Sequence, residues 1–267
     1  MIHHFYNKWH YGDNILNLKF FFNISDILKK RSIFIYYYYD TEYCTNADEL
    51  ERYVDAECVS LNPLSEKPDS AVETWMGNKI DGVIHEEFDR YYRLYYTNLL
   101  KLLQLDDPAL NIDVSLYQNE PYLDAIYDKL DPIFKDADIL IVNSSPGSGQ
   151  FIYNKYIFDN FCILLSKEYK VVTTTPVTDD IASTMREGLK LQDIGAISTR
   201  AKYIIAANSG PFTACCNLKT KTSVKHWFLL DNHIFKFNEI QYTAITDLNE
   251  IIRPPRYQEP DTFQSQE

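Results

Sequence analysis

The sequence is short of the features that mark several classes of protein. It has no uninterrupted apolar run near the roughly 18 residues a membrane-spanning helix needs. Its first residues, Met1-Ile2-His3-His4-Phe5, lack the basic head and apolar body of a secretory signal. Basic residues are in deficit: 26 Lys and Arg against 38 Asp and Glu over 267 residues give a formal net charge of −12. Nucleic-acid backbones and anionic membrane surfaces both select basic patches, so neither is an expected partner. Cysteine is scarce too. The 5 present (Cys44, Cys58, Cys162, Cys215 and Cys216) are odd in number and form no CxxC pair, which leaves no disulfide framework and no zinc site to read. They read as reduced, buried thiols of a cytoplasmic protein. Only 8 glycines accompany 21 tyrosines, an imbalance without functional meaning by itself.

What is present is alternation. The length suits one large domain or two smaller ones. In the first part, turn-like Tyr11-Gly12-Asp13-Asn14 leads into apolar residues at helical spacing (Ile15, Leu16, Phe20, Ile24, Leu28) that end in Lys29-Lys30-Arg31. Ser32 to Tyr39 and Val59 to Leu61 are β-branched or aromatic and read as strands. Helices are expected from Glu86 to Leu105 and from Tyr122 to Leu130. The second part repeats the rhythm, with strands at 137–143, 170–175, 203–206 and 227–230 and helices near 157–165, 181–185, 192–201 and after Phe212. Strand–helix alternation marks parallel sheets covered by helices, an α/β fold. The expected organisation is an N-terminal Rossmann-like domain over 1–130, a C-terminal one over 131–252, and a proline-bearing extension over 253–267.

Ligands of open parallel sheets bind beyond the carboxyl ends of the strands. Small and hydroxyl residues stand at three such ends: Asn143-Ser144-Ser145, Thr173-Thr174-Thr175-Pro176 and Asn208-Ser209-Gly210-Pro211. A glycine ahead of a helix admits a ligand close to the backbone, and the free N–H groups of a first helical turn attract phosphate. The same residue types also cap helices without binding anything. Together the three ends suggest a diphosphate site, with Lys155 and Arg186 as candidate neutralising charges. Trp75 and Tyr91-Tyr92 are candidates for stacking on a sugar, although aromatics at helical spacing equally build a core. His10 lies beside the Gly-Asp pair and is the histidine closest to the candidate chemistry. The Asp136-Ala137-Asp138 triplet precedes its strand, at the wrong end of the sheet for a diphosphate-bound metal, so no metal site is expected.

The stretch from Asp193 to Pro211, ending Ala206-Ala207-Asn208-Ser209-Gly210-Pro211, resembles the donor-binding part of GT-B glycosyltransferases, and most of all the heptosyltransferases. Gly12-Asp13-Asn14-Ile15-Leu16 is similar to that family's Gly-Asp-x-(Ile/Leu)-Leu start, whose aspartate is the candidate general base. The sequence departs from the family pattern at Asn208, where the family has aspartate, and at Thr213, where it has histidine. The resemblance implies a GT-B-like pair of Rossmann-like domains with sheets facing a cleft. It implies transfer of a sugar from a nucleotide-diphosphate donor to a glycan or other hydroxyl acceptor, inverting and without metal or cofactor. Donor contacts would come from 143–150, Gln150 included, and from Asn208, Ser209, Gly210, Pro211, Phe212 and Thr213. Asp13 would act as base, with His10, Trp75 and Tyr91 on the acceptor side. A non-catalytic sugar-nucleotide or glycan-binding module, or a GT-B-type epimerase or hydrolase, stays open beside it.

Overall fold

A computed structural model describes residues 1–75, 87–145, 153–230, 236–245 and 248. The first part begins with β1 (Ile2–Asn7), α1 (Tyr11–Asn23), α2 (Ser25–Lys30) and β2 (Phe34–Tyr39). It continues through α3 (Ala47–Glu51), β3 (Val59–Pro63) and β4 (Val72–Glu73). These strands form a 4-stranded sheet in the order β3-β2-β1-β4, parallel throughout. In β1 the buried Phe5 and Asn7 alternate with the half-buried His4 and Tyr6, and the Phe5 ring stacks on Phe21 of α1 at 5.8 Å. Two helices follow, α4 (Phe88–Leu102) and α5 (Leu123–Lys129).

The second part comprises β5 (Ile139–Val142), α6 (Lys155–Ser166), β6 (Val171–Thr173), β7 (Ala182–Ser183) and α7 (Leu191–Ser198). β8 (Tyr203–Ala207), α8 (Gly210–Cys215), α9 (Leu218–Ser223), β9 (His226–Leu230) and β10 (Tyr242–Ile245) complete it. Its 6-stranded parallel sheet has the order β10-β9-β8-β5-β6-β7. β5 is buried at every position, as a central parallel strand covered on both faces must be. Among the described residues no helix is long and apolar enough to cross a membrane.

In each sheet the order of strands reverses at one place. From β1 the chain goes to β2 and β3 on one side and returns to β4 on the other. From β5 it goes to β6 and β7 on one side and returns to β8 on the other. Such switch points leave a crevice at the strands' carboxyl ends. Here those crevices are bounded by the residues after Asn7 and Glu73 in one sheet and after Val142 and Ala207 in the other.

Several local expectations change. Tyr11 to Asn14 is the first turn of α1, because Asp and Asn suit a helix start as well as a tight turn. The helix expected near 181–185 is instead the short strand β7, with Val172 opposite Ala182 and Thr173 opposite Ser183. β10, pairing Tyr242 with Trp227, had no counterpart in the sequence pattern. The extension at 253–267 lies outside the described residues.

The two parts share one hydrophobic core. α1 lies against α8, and α4 spans both halves. Tyr96 of α4 stacks on Phe20 at 4.3 Å and donates its hydroxyl to the Leu16 carbonyl at 2.9 Å. At the other end of α4, the buried Asp89 carboxylate accepts the N–H groups of Asn238 and Glu239, each at 2.7 Å.

Candidate active site at two switch points

Asp13 sits in the first turn of α1, where its charge suits the positive end of the helix dipole. It is half-buried rather than displayed on a loop. Burial pushes its carboxyl up to about 6, against the opposing pull of the His10 ring, its own backbone N–H and the Trp75 side chain. Trp75 itself packs on Trp9, ring centroids 4.6 Å apart. His10 precedes α1 and meets the edge of Tyr43 at 4.8 Å. The β1/β4 switch point therefore gathers Trp9, His10, Asp13 and Trp75.

A buried amide and hydroxyl network supports that group. Asn17 donates to the Tyr37 hydroxyl at 3.0 Å and to the Thr74 carbonyl at 2.7 Å. The Tyr37 hydroxyl donates to Asn14 Oδ1 at 3.1 Å, and Asn14 Nδ2 donates to the carbonyls of Trp9 and His10 at 2.9 and 3.0 Å. Buried polar groups are costly unless bonded, so a fully connected network fixes both loops. None of Asn7, Asn14, Asn17 or Thr74 carries a sequence signal beyond a polar side chain inside an apolar pattern.

At the β5/β8 switch point the expected donor residues divide by task. Asn143 is buried and spent on its neighbours. Its side chain donates to the Thr175 carbonyl at 3.1 Å and accepts from the Thr175 N–H at 2.8 Å and the Thr174 hydroxyl at 3.1 Å. The Thr175 hydroxyl returns a bond to the Asn143 carbonyl at 3.2 Å. Asn143, Thr174 and Thr175 thus lock the end of β5 to the end of β6. Ser144 lies across the crevice from Ser209, hydroxyl to hydroxyl 3.3 Å, and Ser145 is exposed beside it. Asn208 and Ser209 are half-buried at the end of β8, and Gly210 and Pro211 open α8. Pro at such a position gives up no needed N–H.

Four further placements bear on the expected contacts. Phe212 is buried in the core between Trp227 and Phe237 and offers no ligand face. Thr213 is buried, its hydroxyl donating to the Gly210 carbonyl at 2.6 Å. Tyr91 and Tyr92 are 0% and 2% exposed, which leaves neither ring free to stack on a sugar. Lys155 turns to Asp159 at 2.6 Å and Arg186 to the Thr178 carbonyl at 2.8 Å, so both candidate phosphate charges already have partners. Gln150 lies outside the described residues.

The two crevices meet. Gly12, one residue before Asp13, faces Gly210 and Thr213: a Cβ on Gly12 would lie 3.5 Å from Gly210 Cα. Two turns along α1, the buried Lys19 pairs with Glu120 at 2.6 Å and reaches the carbonyl of Thr213 at 3.0 Å and those of Ala214 and Cys216 at 3.4 Å. A cation there satisfies the open carbonyls at the end of α8. Nothing in the sequence marks Lys19 apart from a lysine on an apolar helix face.

No family model matches the sequence, and no curated protein matches it. Among solved structures the chain is similar to the E. coli heptosyltransferase WaaC with ADP-2-deoxy-2-fluoro heptose. The identity is 8%, covering 94% of this chain and 96% of that one, with a TM-score of 0.56. A glycosyltransferase of family 9 from Veillonella parvula DSM 2008 is 14% identical, covering 96% of this chain and 92% of that one, with a TM-score of 0.43. What the chain shares with WaaC is the fold, an α/β arrangement of two parallel sheets.

Proposed function

We propose that this chain is a glycosyltransferase that moves a sugar from a nucleotide-diphosphate donor to a hydroxyl acceptor. The observation that carries this reading is the meeting of the Asp13 turn with the Ser209-Gly210-Pro211 loop, through Gly12 and Gly210. That contact brings the turn that carries Asp13 beside the strand-end loop, which supports a displacement at an anomeric carbon held between them. The WaaC structure holds an ADP-sugar analogue, which supports the same class of donor here.

The chemistry follows from the positions. The acceptor oxygen attacks the anomeric carbon and its proton passes to Asp13. The bond from that carbon to the diphosphate breaks, and its electron pair leaves on the diphosphate. One base and one in-line attack give inversion. A carboxyl titrating at about 6 is ionised at neutral pH yet more basic than an ordinary carboxylate, which suits this task. Backbone N–H groups of Gly210 and the turn after it, with the hydroxyls of Ser144 and Ser209, would meet the growing diphosphate charge. The mechanism needs no metal and no resident cofactor. Trp75 and His10 border the acceptor side.

The test is calorimetric titration with UDP, GDP, ADP and CMP, each with and without EDTA. Selective binding of one diphosphate, indifferent to EDTA, is the expected result. No binding to any of them overturns the donor site. Asp13→Ala should then keep nucleotide affinity while abolishing sugar transfer, whereas a binding module would show no transfer in either form.

A further inference from the structure

Two sheet units around a crevice rock about the chain between them unless the interface that joins them is large and apolar. Here the interface is fastened at three places. In the middle, α1 meets α8 at two points about 10 Å apart along the helix. Gly12 lies against Gly210 and Thr213, and the buried Lys19 holds the carbonyls of Thr213, Ala214 and Cys216.

To one side, α3, which leads into the edge strand β3, is tied to the start of α7. The Glu49 carboxylate accepts the Leu191 N–H at 3.0 Å and lies 3.7 Å from Lys190. Gln192 Nε2 donates to the Arg52 carbonyl at 2.7 Å, and the Arg52 guanidinium lies 3.7 Å from Asp193. To the other side, α4 follows the opposite edge strand, β4. Its Tyr96 is stacked on Phe20 of the first part, while its Phe88 packs on Phe237 of the second at 5.2 Å. Arg93 of α4 pairs with Glu239 at 2.7 Å, and Lys221 of α9 reaches the same carboxylate at 2.6 Å.

A hinge axis through any one of these ties pulls the other two apart. The middle tie carries a Lys–Glu pair with side chains 0% and 2% exposed, and α4 carries the wholly buried Asp89. Parting buried charges from their partners is strongly destabilising, and the apolar core common to both parts would be wetted as well.

We propose that the two parts form one rigid body without a hinge, so that the width of the crevice is preset and substrate does not close it. The rigidity stands apart from the proposed transfer. What rests on that reading is the consequence, that the Asp13 turn and the Gly210 loop hold their working separation in the free protein.

Spin labels test this. The 5 native cysteines are buried, which leaves Asp26→Cys on α2 and Asn160→Cys on α6, both at exposed positions, to take the labels. Double electron–electron resonance on the free protein should give one narrow distance, and UDP, GDP, ADP or CMP should move it by less than about 2 Å. Two distances in the free protein, or a larger shift with any nucleotide, overturn the proposal. A second measurement needs no surface label. With fluorine-labelled tryptophan, Trp9 and Trp75 report on the first part and Trp227, in β9, on the second. In urea all three folded-state signals should fade at one midpoint, and separate midpoints for the two parts overturn the single body. Both readouts exist without nucleotide, so a failed donor site in the calorimetric test leaves this inference to stand or fall by itself.

Discussion

Gly12 and Thr213 are in contact across the line where the two sheets meet. A Cβ on Gly12 would stand 3.1 Å from Thr213 Cγ2, closer than side-chain carbons normally approach. The first turn of α1, which carries Asp13, is seated on the first turns of α8, and the absence of a side chain at position 12 sets their separation.

Gly12→Ala should therefore cost about 1 kcal/mol of stability through overpacking and weaken nucleotide binding by shifting the Gly210 loop. Thr213→Ser removes the opposing methyl and keeps the hydroxyl. Combined with Gly12→Ala it should restore most of the loss. A double-mutant cycle by chemical denaturation and nucleotide titration checks the coupling.

Asp13 carries a linked prediction. Its folded pKa, about 6, lies above the ordinary carboxylate value of 3.8. Ionisation is thus harder in the folded state, and stability falls as pH rises from about 4 through about 6. Asp13→Asn should be more stable than the wild type by about 1–3 kcal/mol above pH 7 and nearly equal to it near pH 4. Thermal unfolding at several pH values measures this, and the same variant should lose transfer activity. Equal stability at every pH would contradict the burial effect.

Lys19 and Glu120 form a buried pair, so removing one partner strands the other charge. Lys19→Met should cost about 3–5 kcal/mol. Glu120→Gln in the same chain removes the stranded charge and keeps an acceptor for the Tyr122 hydroxyl, which lies 2.5 Å from Glu120 Oε2. The double variant should regain much of the loss in urea unfolding, though not the part owed to the α8 carbonyls.

Asn143→Ala should destabilise by about 2–3 kcal/mol, because the threonine groups it serves are left unpaired in the interior. Ser145→Ala, at an exposed position, should change stability by less than about 0.5 kcal/mol. Comparing the two in nucleotide titrations separates the frame of the crevice from its surface.

The sheets were legible because their strands are continuous apolar or aromatic runs, as at Phe34–Tyr39 and Ile139–Val142. The strand-end segments at 143–145 and 208–211 were legible because small polar residues interrupt that pattern there. β7, with 2 residues, is too short to show a period. Which polar residues face outward was also hidden. Asn143 and Ser144 are neighbours of similar character, yet one is consumed by β6 and the other opens onto the crevice. Tyr91 and Trp75 were equal candidates by type, and only packing separates the core ring from the site ring. Lys19 was invisible because its partners lie about a hundred residues or more away along the chain.

The Trp9–Trp75 pair makes the site optically active in its own right. Of the 3 tryptophans, these two lie 4.6 Å apart with their planes inclined at 32°. Their strong far-ultraviolet transitions couple as an exciton, which adds a couplet of opposite signs to the far-ultraviolet circular dichroism. Trp227, buried beside Phe212, stands apart as a separate chromophore. Any molecule that turns Trp75 relative to Trp9 changes the couplet, so the unlabelled protein reports the occupancy of its own crevice as a change in spectral shape.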